Sequence, residues 1–528
     1  MRRLAPLLLA ALPIIAVIAL VAIPLVTLLS EGLRPSSWQV FSSGSTWRVL
    51  VYTVSQALVS TVLSVIIALP AAYALYRLRL PARRILLAIV TIPFVLPTVV
   101  VGLAFRELLP FAGTTAAIIV AHVFFNVGLV IRVVGSVWGQ LDTRYAVVAS
   151  CLGANRWQAF VHGSWPLLRP AVTAASMLVF LFTFTSFGVV LVVGDPALPT
   201  IEVEIYQRAV QRLDLDGAAA LTIIQLVVVV VALAIATKLQ QHLTVRGIIT
   251  ETAIRRGPHG LTDYAATAAT FIVVVAIIIP LGSLVSASMR VRDSWGLTWY
   301  VEAISPSDTS TRATSAAEAL LTSARYAVVA TVIAVTLGVF AAIAVTLLRR
   351  GQASLDTVVT LPLGVSAVSI GLGLLLFSIS GPIDLRGWWL LVPLGQAMVA
   401  MPIVVRIVLP VLRSIDPRLR DVAATLGASP FRAWVAVDGP LALRATAVSA
   451  GLACAVSLGE FGATAFLARA DTPTVPVQIV RLLSRPGEAN LGQAAALSVI
   501  LIVVTAVIIG LAERARPRTS QPTATGGW

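Results

Sequence analysis

Long apolar stretches, separated by short polar segments, follow one another along the whole 528-residue chain. Several of them reach the roughly 20 residues with which an α-helix crosses the hydrocarbon core of a bilayer. The pattern therefore predicts an all-α, polytopic membrane protein with about twelve transmembrane helices. The expected spans are residues 4–29, 52–76, 85–109, 115–138, 168–193, 218–239, 264–287, 322–348, 355–377, 388–412, 445–467 and 491–512.

A short polar segment occurs twice, at residues 142–166 and again roughly half a chain later at residues 416–440. In the second copy Asp416 is a candidate N-cap, Pro417 fits the first helical position, and Gly427 fits a left-handed helix stop. Asp142 and Gly153 repeat this plan in the first copy. Each copy is therefore predicted to be a helix, a glycine turn and a short second helix.

The predicted second helix carries two aromatic residues three positions apart in both copies. They are Trp157 and Phe160 in the first copy, and Phe431 and Trp434 in the second. Residues at this spacing share one face of a helix. We expect each pair to form an apolar knob that fits the groove of a partner protein.

The repetition extends well beyond these segments, because Thr53 lines up with Ser323 and Arg132 with Arg406. Six predicted spans precede the second half, so the two halves are expected to run parallel across the membrane. The predicted organisation is a first repeat at residues 1–240, a linker at 241–262, a second repeat at 263–513 and a disordered tail at 514–528.

The distribution of basic residues indicates how the chain is oriented in the membrane, and does not indicate a charged partner. The chain is 58% hydrophobic, only 12% charged and formally +15, with a mean hydropathy of +0.95. Its arginines concentrate in alternate loops, for example at Arg83, Arg84, Arg349 and Arg350. By the positive-inside rule this side is the cytoplasm, which would hold both termini and both copies of the repeated segment. We expect no nucleic-acid binding.

The repeated Ala-x-x-x-Gly, followed by an aromatic residue and a proline, resembles the "EAA loop" in permease subunits of binding-protein-dependent ABC importers. Each half resembles one copy of the common permease domain, fused here in one polypeptide. The resemblance implies that the loops couple to ATPase subunits. The residues to which it assigns this role are Ala149, Gly153, Trp157, Phe160, Pro166, Ala423, Gly427, Phe431, Trp434 and Pro440.

The same resemblance implies a set of partners in a bacterial inner membrane. These are two copies of a cytoplasmic ABC ATPase, an extracytoplasmic solute-binding protein and the lipid bilayer. A phosphate-binding loop needs Gly-Lys-Ser/Thr, yet the only lysine, Lys238, follows Thr237. ATP hydrolysis is therefore assigned to a separate subunit, and we expect no catalytic residues, cofactor or metal in this chain.

The substrate is less well defined. Residues 183–206 and 457–479 resemble the fused permeases of thiamine and ferric-iron importers, and the Leu-Gly-Glu-Phe-Gly element around Glu460 also resembles molybdate and sulfate permeases. Glu460 and its counterpart Ser186 are candidates for the translocation path, because an ionisable group within a span is costly unless it faces protein or water. The alternative for Glu460 is a buried structural carboxylate.

Two other classes of protein remain open at this stage. An ion-coupled secondary transporter would need coupling carboxylates, for which Glu460 is the one candidate. A membrane-embedded enzyme should show a His/Asp/Glu cluster near one bilayer face, whereas the four histidines are scattered. Prolines and glycines within spans, such as Pro93, Pro97 and Gly371, have two interpretations, as hinges or as sites of close helix packing.

Overall fold

A computed structural model describes residues 5–141, 148, 151, 153–243, 255–291, 294–304, 315–348, 351–380, 384–385 and 387–514. The first half begins with helices α1 to α5. Their bounds are α1 Leu9–Gly32, α2 Gly44–Arg77, α3 Arg83–Val95, α4 Thr98–Leu108 and α5 Thr115–Trp138. The half is completed by α6 Trp157–Phe184, α7 Gly188–Val193, α8 Ile201–Tyr206 and α9 Leu215–Leu243.

The second half repeats this order, and its short helix Thr298–Ile304 matches in chain order a short helix at Trp38–Ser42 of the first half. It starts with α10 Leu261–Met289, α11 Thr298–Ile304, α12 Ala316–Leu347, α13 Gln352–Gly364, α14 Ala367–Ser380 and α15 Leu391–Arg413. It continues with α16 Pro417–Thr425, α17 Phe431–Gly459, α18 Thr464–Leu467, α19 Val475–Leu483 and α20 Glu488–Arg514. A two-residue ribbon pairs Arg290–Val291 with Ser294–Trp295.

Two of the twelve predicted spans are broken helices. The α3–α4 pair bends by 102° and the α13–α14 pair by 93°. The sequence-based expectation of continuous helices at these two places is wrong. Pro97 supplies no N–H, and it favours an extended conformation at the preceding Leu96, where ψ is 143°. Pro97 thus separates α3 from α4.

Both broken pairs nevertheless connect the two sides of the molecule. At the start of α3, Arg83 donates to the carbonyl of Leu75 near the end of α2. Beyond α4, Thr115 is 3.2 Å from the Tyr52 hydroxyl near the start of α2. The pair therefore runs antiparallel to α2 from one end to the other.

The second broken pair behaves in the same way. Gln352 donates to Leu348 at the end of α12. After α14, the Trp389 ring lies 4.6 Å beneath the Arg325 guanidinium, near the start of α12. Counting each pair as one span gives 12 candidate crossings in the described residues, as the sequence predicts.

The spans expected at residues 168–193 and 445–467 also end differently. The helices stop at Phe184 and Gly459, and the chain continues as turns and the short helices α7 and α18. Glycines permit close contacts there: a Cβ on Gly371 would lie 2.6 Å from the Cα of Ala463, and one on Gly102 would lie 2.8 Å from Val192. These two glycines serve packing, whereas the prolines mark the breaks.

The first helix of each half packs against the other half. Helix α1 contacts α12, α13 and α14, while α10 contacts α2, α3 and α4. Ala10, Val17 and Val21 of α1 accordingly belong to the second half's core, and Val273, Val274 and Ile277 of α10 belong to the first half's core. The two halves are therefore linked by a reciprocal helix exchange. The predicted boundaries at residues 240 and 262 remain predictions, and most of the tail lies outside the described residues.

The repeat is visible in individual hydrogen bonds. The N–H of Ile201 donates to the Thr53 hydroxyl at 2.9 Å, and that of Val475 donates to the Ser323 hydroxyl at 2.7 Å. Thr53 and Ser323 are equivalent in the two halves, and each caps the backbone of an equivalent short helix. The equivalence of Thr53 and Ser323, inferred from the sequence repeat, is thus confirmed by their equivalent hydrogen bonds.

Candidate docking loops and central path

The second repeated loop begins and ends with well-formed helix caps. Asp416 Oδ1 accepts the Arg418 N–H at 2.9 Å, and Pro417 opens the helix. At the other end the N–H groups of Gly427 and Ala428 donate to the carbonyls of Ala424 and Ala423, both at 3.0 Å. This is a Schellman cap, which requires the φ of +85° found at Gly427.

The first loop shows the same stop where the structure describes it. Gly153 also has a φ of +85°. Asn155 Oδ1 accepts the Gln158 N–H at 2.8 Å, and Gln158 Oε1 accepts the Asn155 N–H at 3.0 Å, which forms a capping box. Asp142 and Ala149 lie outside the described residues.

The short second helix expected after each glycine is in fact the start of a long membrane helix. In both halves a π-helical turn joins it to the span, at Phe160–Ser164 and at Trp434–Asp438. Helix α17 therefore runs without a break from Phe431 to Gly459. Pro166 and Pro440 lie in the first turn of the α-helical segment after the π-turn, a position that tolerates proline.

The aromatic pairs do not form the predicted two-residue knobs. Trp157 and Phe431 protrude, with 70% and 74% of their surface exposed. Phe160 instead packs against Trp138 and Trp165, at ring-centroid distances of 5.9 and 6.1 Å, and Trp434 is half-buried in a small cavity with Leu347 and Leu412. The Trp157 and Phe160 rings are still neighbours, with centroids 5.8 Å apart, as expected at this helical spacing. In each pair, however, the second ring also packs on the helix bundle.

Around Phe431 the second loop presents an exposed apolar surface. Each of its members exposes between 48% and 83% of its area. This surface comprises Leu419, Val422, Leu426, Phe431 and Val435. In the first loop Val148 is likewise exposed, at 57%. Contiguous exposed apolar side chains of this kind typically mark a protein interaction site.

An ion pair fixes the second loop to its span. The Arg420 guanidinium donates to both carboxylate oxygens of Asp438, including Nε to Oδ2 at 2.9 Å. Asp438 is fully buried. Hydrogen bonding to Asp438 raises the pKa of Arg420 above its usual value. The equivalent residues of the first loop, Ala146 and Ser164, cannot form an ion pair. Only the second loop is therefore held to its span by this ion pair.

At the opposite ends of the same long helices, four aromatic rings meet between the halves. Phe187 stacks on Phe461 with ring centroids 5.0 Å apart. Tyr206 packs against Phe187 at 5.2 Å and meets Phe466 edge-on at 5.7 Å. We call these four residues the aromatic seam. Ser186 and Glu460, the predicted path residues, directly precede the stacked pair.

Glu460 is buried, and its carboxylate is hydrogen-bonded within its own turn. It accepts the N–H of Ala463 at 2.7 Å, the N–H of Thr464 at 3.0 Å and the Thr464 hydroxyl. Gln396 donates to that hydroxyl at 3.3 Å. Glu460 thus caps α18, which favours its interpretation as a structural carboxylate. Ser186 is half-buried.

Glu202 is a candidate site residue that the sequence patterns did not single out. Glu202 is fully buried in α8 and bonded to Gln225 at 2.5 Å. The apolar residues Ile201, Val203 and Ile205 surround it in the sequence. This local apolar context was the available signal that the segment enters the core.

Comparisons with known proteins connect this architecture with transport. Residues 60–246 and 334–521 each match the model of the binding-protein-dependent transport system inner membrane component. Thiamine transport system permease proteins are similar over both halves: that of Brucella abortus is 29% identical, covering 89% of this chain and 88% of its own. The Escherichia coli protein is 25% identical, covering 90% of each chain.

A molybdenum transport system permease protein from Mycobacterium tuberculosis is 32% identical over 242 residues, which span 42% of this chain and 90% of that protein. The relatives thus include both full-length, fused permeases and a permease of half the length. The family match falls once in each half, as expected from the repeated loop. The chain therefore belongs to the inner-membrane components of binding-protein-dependent transport systems, as a fused, two-domain permease subunit of an ABC importer.

Proposed function

We propose that this permease imports thiamine or a closely similar solute. The similarity to thiamine permeases over 89% of the chain, through both halves, carries this proposal. The molybdenum permease, in contrast, accounts for 42% of the chain. The ferric-iron alternative stays a prediction that these relatives do not test.

The two repeated loops are the proposed docking sites for two copies of a cytoplasmic ATPase. The exposed rings of Trp157 and Phe431 support this assignment. Both loops lie at the ends of α2 and α12 that carry Arg77 and Leu347, since Arg77 donates to Leu141 at 2.8 Å and Trp434 lines a cavity with Leu347. This arginine-rich side would face the cytoplasm. A solute-binding protein would dock on the opposite side.

Continuous helices provide the mechanical link between ATPase and path. Helix α17 begins at the docking ring of Phe431 and ends at Gly459, two residues before Phe461. Helix α6 likewise begins at Trp157 and ends at Phe184, shortly before Phe187. A 29-residue helix is about 43 Å long. Movement of the loops would therefore be transmitted to the aromatic seam, which opens and closes the path by alternating access.

Reconstitution tests the proposal. The chain would be placed in proteoliposomes with its ATPase, and labelled thiamine would be supplied on its binding protein. We expect uptake that requires ATP and is unaffected by excess molybdate. Thiamine uptake that proceeds equally without ATP, or molybdate uptake in its place, would contradict the proposal. A variant with Gly427→Val serves as the uncoupled control.

A further inference from the structure

Four buried polar side chains surround the start of α8 in the first half: Gln56, Thr200, Glu202 and Gln225. We call them the acceptor cluster. Each is at most 2% exposed, and each has an oxygen without a hydrogen-bond partner, namely Gln56 Oε1, Thr200 Oγ1, Glu202 Oε2 and Gln225 Oε1. Buried polar atoms are rarely left unsatisfied in proteins. Several unsatisfied oxygens in one place indicate a site that accepts donors from a bound molecule.

Hydrogen bonds show that these residues form one cluster. Gln225 Nε2 donates to the other Glu202 oxygen at 2.5 Å. Thr53 accepts the N–H of Ile201, which lies between Thr200 and Glu202. Gln56 Nε2 donates to the carbonyl of Thr53 at 3.1 Å. Gln225 thus uses its donor within the cluster, whereas Gln56 donates to the carbonyls of Thr53 and Thr183. The side-chain oxygens of both amides are left without a partner.

The cluster contains an acidic side chain, Glu202, without a cation beside it. Glu204, two residues along α8, pairs with Arg208 at 2.8 Å and Arg212 at 2.9 Å. No ion pair found in the described part of the chain includes Glu202. A buried, unpaired carboxylate costs several kcal/mol. In a transport protein such a group indicates recognition of a cation.

The acceptor cluster lies beside the aromatic seam at the boundary between the halves. Ser366, in the break between α13 and α14 of the second half, lies near the Glu202 carboxylate, and its hydroxyl is 2.8 Å from that of Ser369. Tyr206, which packs on Phe187 and Phe466, follows Glu202 by four residues and so shares its helix face. Separation of the halves would therefore expose Glu202 and the aromatic faces together.

Only the first half has acidic residues at the positions of Glu202 and Glu204 in its short helix. Pro476 and Gln478 of the second half align with Glu202 and Glu204. A single carboxylate beside several aromatic rings suits a monovalent, flat, cationic solute with N–H donors. Cations bind favourably over aromatic faces, and a carboxylate disfavours an oxyanion at the same place.

We propose that Glu202 is the residue of the translocation path that binds the positive charge of the solute. This inference rests on the proposed function, because thiamine carries a permanent positive charge on its thiazolium ring and N–H donors on its aminopyrimidine. Gln56, Thr200 and Gln225 accept hydrogen bonds from the passing solute. Tyr206 provides an aromatic surface next to them.

The test compares Glu202→Gln and Glu202→Asp in the reconstituted importer, with thiamine as the probe. Two quantities are measured: thiamine uptake, and ATP hydrolysis stimulated by the thiamine-loaded binding protein. We expect Glu202→Gln to lower uptake at least tenfold, while stimulated hydrolysis and the melting temperature stay near those of the wild type. Glu202→Asp, which restores the charge, should recover at least half of the uptake.

Other results would overturn the inference. Unchanged uptake in Glu202→Gln would remove the role in cation binding. A parallel loss of uptake, stimulated hydrolysis and melting temperature would make Glu202 a structural residue. A requirement for Na⁺, seen when potassium replaces it in the wild-type assay, would make Glu202 an ion-coupling group instead. A wild-type importer that moves no thiamine contradicts the proposed function itself, and the wild-type arm alone reveals that outcome.

Discussion

Phe187 and Phe461 occupy equivalent positions in the two halves, and their rings stack with planes only 7° from parallel. Both are buried, at 5% and 3% exposure. The contact therefore lies where the two halves meet, and it closes the space between them. A stacked aromatic pair stabilises a contact by about 0.5–1.5 kcal/mol beyond the burial of its surface.

Weakening this contact should open the path more often. We expect Phe461→Leu to raise ATP hydrolysis in the absence of the binding protein by about 2- to 13-fold, the range that corresponds to the stacking energy. The control is Phe105→Leu, because Phe105 packs edge-on against Phe124 within the first half, at 5.0 Å. Equal basal hydrolysis in both variants would show that the stacked pair does not hold the closed state.

The glycine stop of the second loop should be essential for coupling. Gly427→Val places a β-branched residue at a φ of +85°, which costs about 1–2 kcal/mol. A side chain there meets no other atom within 4 Å, so the effect is conformational. Membrane insertion should persist while stimulated ATP hydrolysis and uptake fall. Gly510→Val, at a helical glycine with equally open surroundings, should leave both activities intact.

The two aromatic residues of the second loop should behave differently. Phe431→Ala removes an exposed ring and should lower ATPase affinity by about 2 kcal/mol, roughly 30-fold, with no change in melting temperature. Trp434→Ala removes a half-buried ring and should lower the melting temperature. Co-purification of the ATPase with each variant, together with thermal unfolding in detergent, separates the two effects. Normal ATPase recovery with Phe431→Ala would refute the docking role.

Removing both members of the Arg420–Asp438 pair should be less destabilising than removing Arg420 alone. Arg420→Ala leaves a buried carboxylate without its partner and should destabilise the second loop, towards the lower end of about 3–5 kcal/mol because solvent reaches Arg420. The double variant Arg420→Ala/Asp438→Ser gives the second loop the residue types of the first. Thermal unfolding should show that the double variant recovers most of the lost stability. No recovery would mean that the ion pair is not the source of the loss.

Glu460→Gln should chiefly reduce stability. The Glu460 carboxylate accepts from three donors, whereas a glutamine directs an amide donor towards one of them, at a cost of about 1–3 kcal/mol. We expect a lower melting temperature and normal uptake for each folded importer. Ser186→Ala is the control at the equivalent position. Altered solute preference with an unchanged melting temperature would instead support the path role predicted from the sequence.

Much of this architecture follows from local sequence patterns. The repeated loops, the twelve crossings and the left-handed glycines depend on residue type at short range, as at Gly153 and Gly427. The two broken spans were harder to predict from the sequence, because prolines are common in membrane helices. The packing around each proline decides whether the helix bends or ends. The apolar neighbours of Glu202 indicate a buried segment, but its proximity to Ser366 of the other half is a relationship that no local pattern encodes.

The exchange of α1 and α10 sets an order for biosynthesis. Helix α1 emerges first, yet apart from the contact of its C-terminal part with α9, its packing surface is provided by α12, α13 and α14. It must therefore remain in the bilayer without most of its final neighbours until most of the chain has been inserted. A ribosome that stops after α9 would leave a fragment with an apolar helix face exposed. Fusion of the halves in one polypeptide guarantees that these neighbours arrive, and that they arrive in equal number.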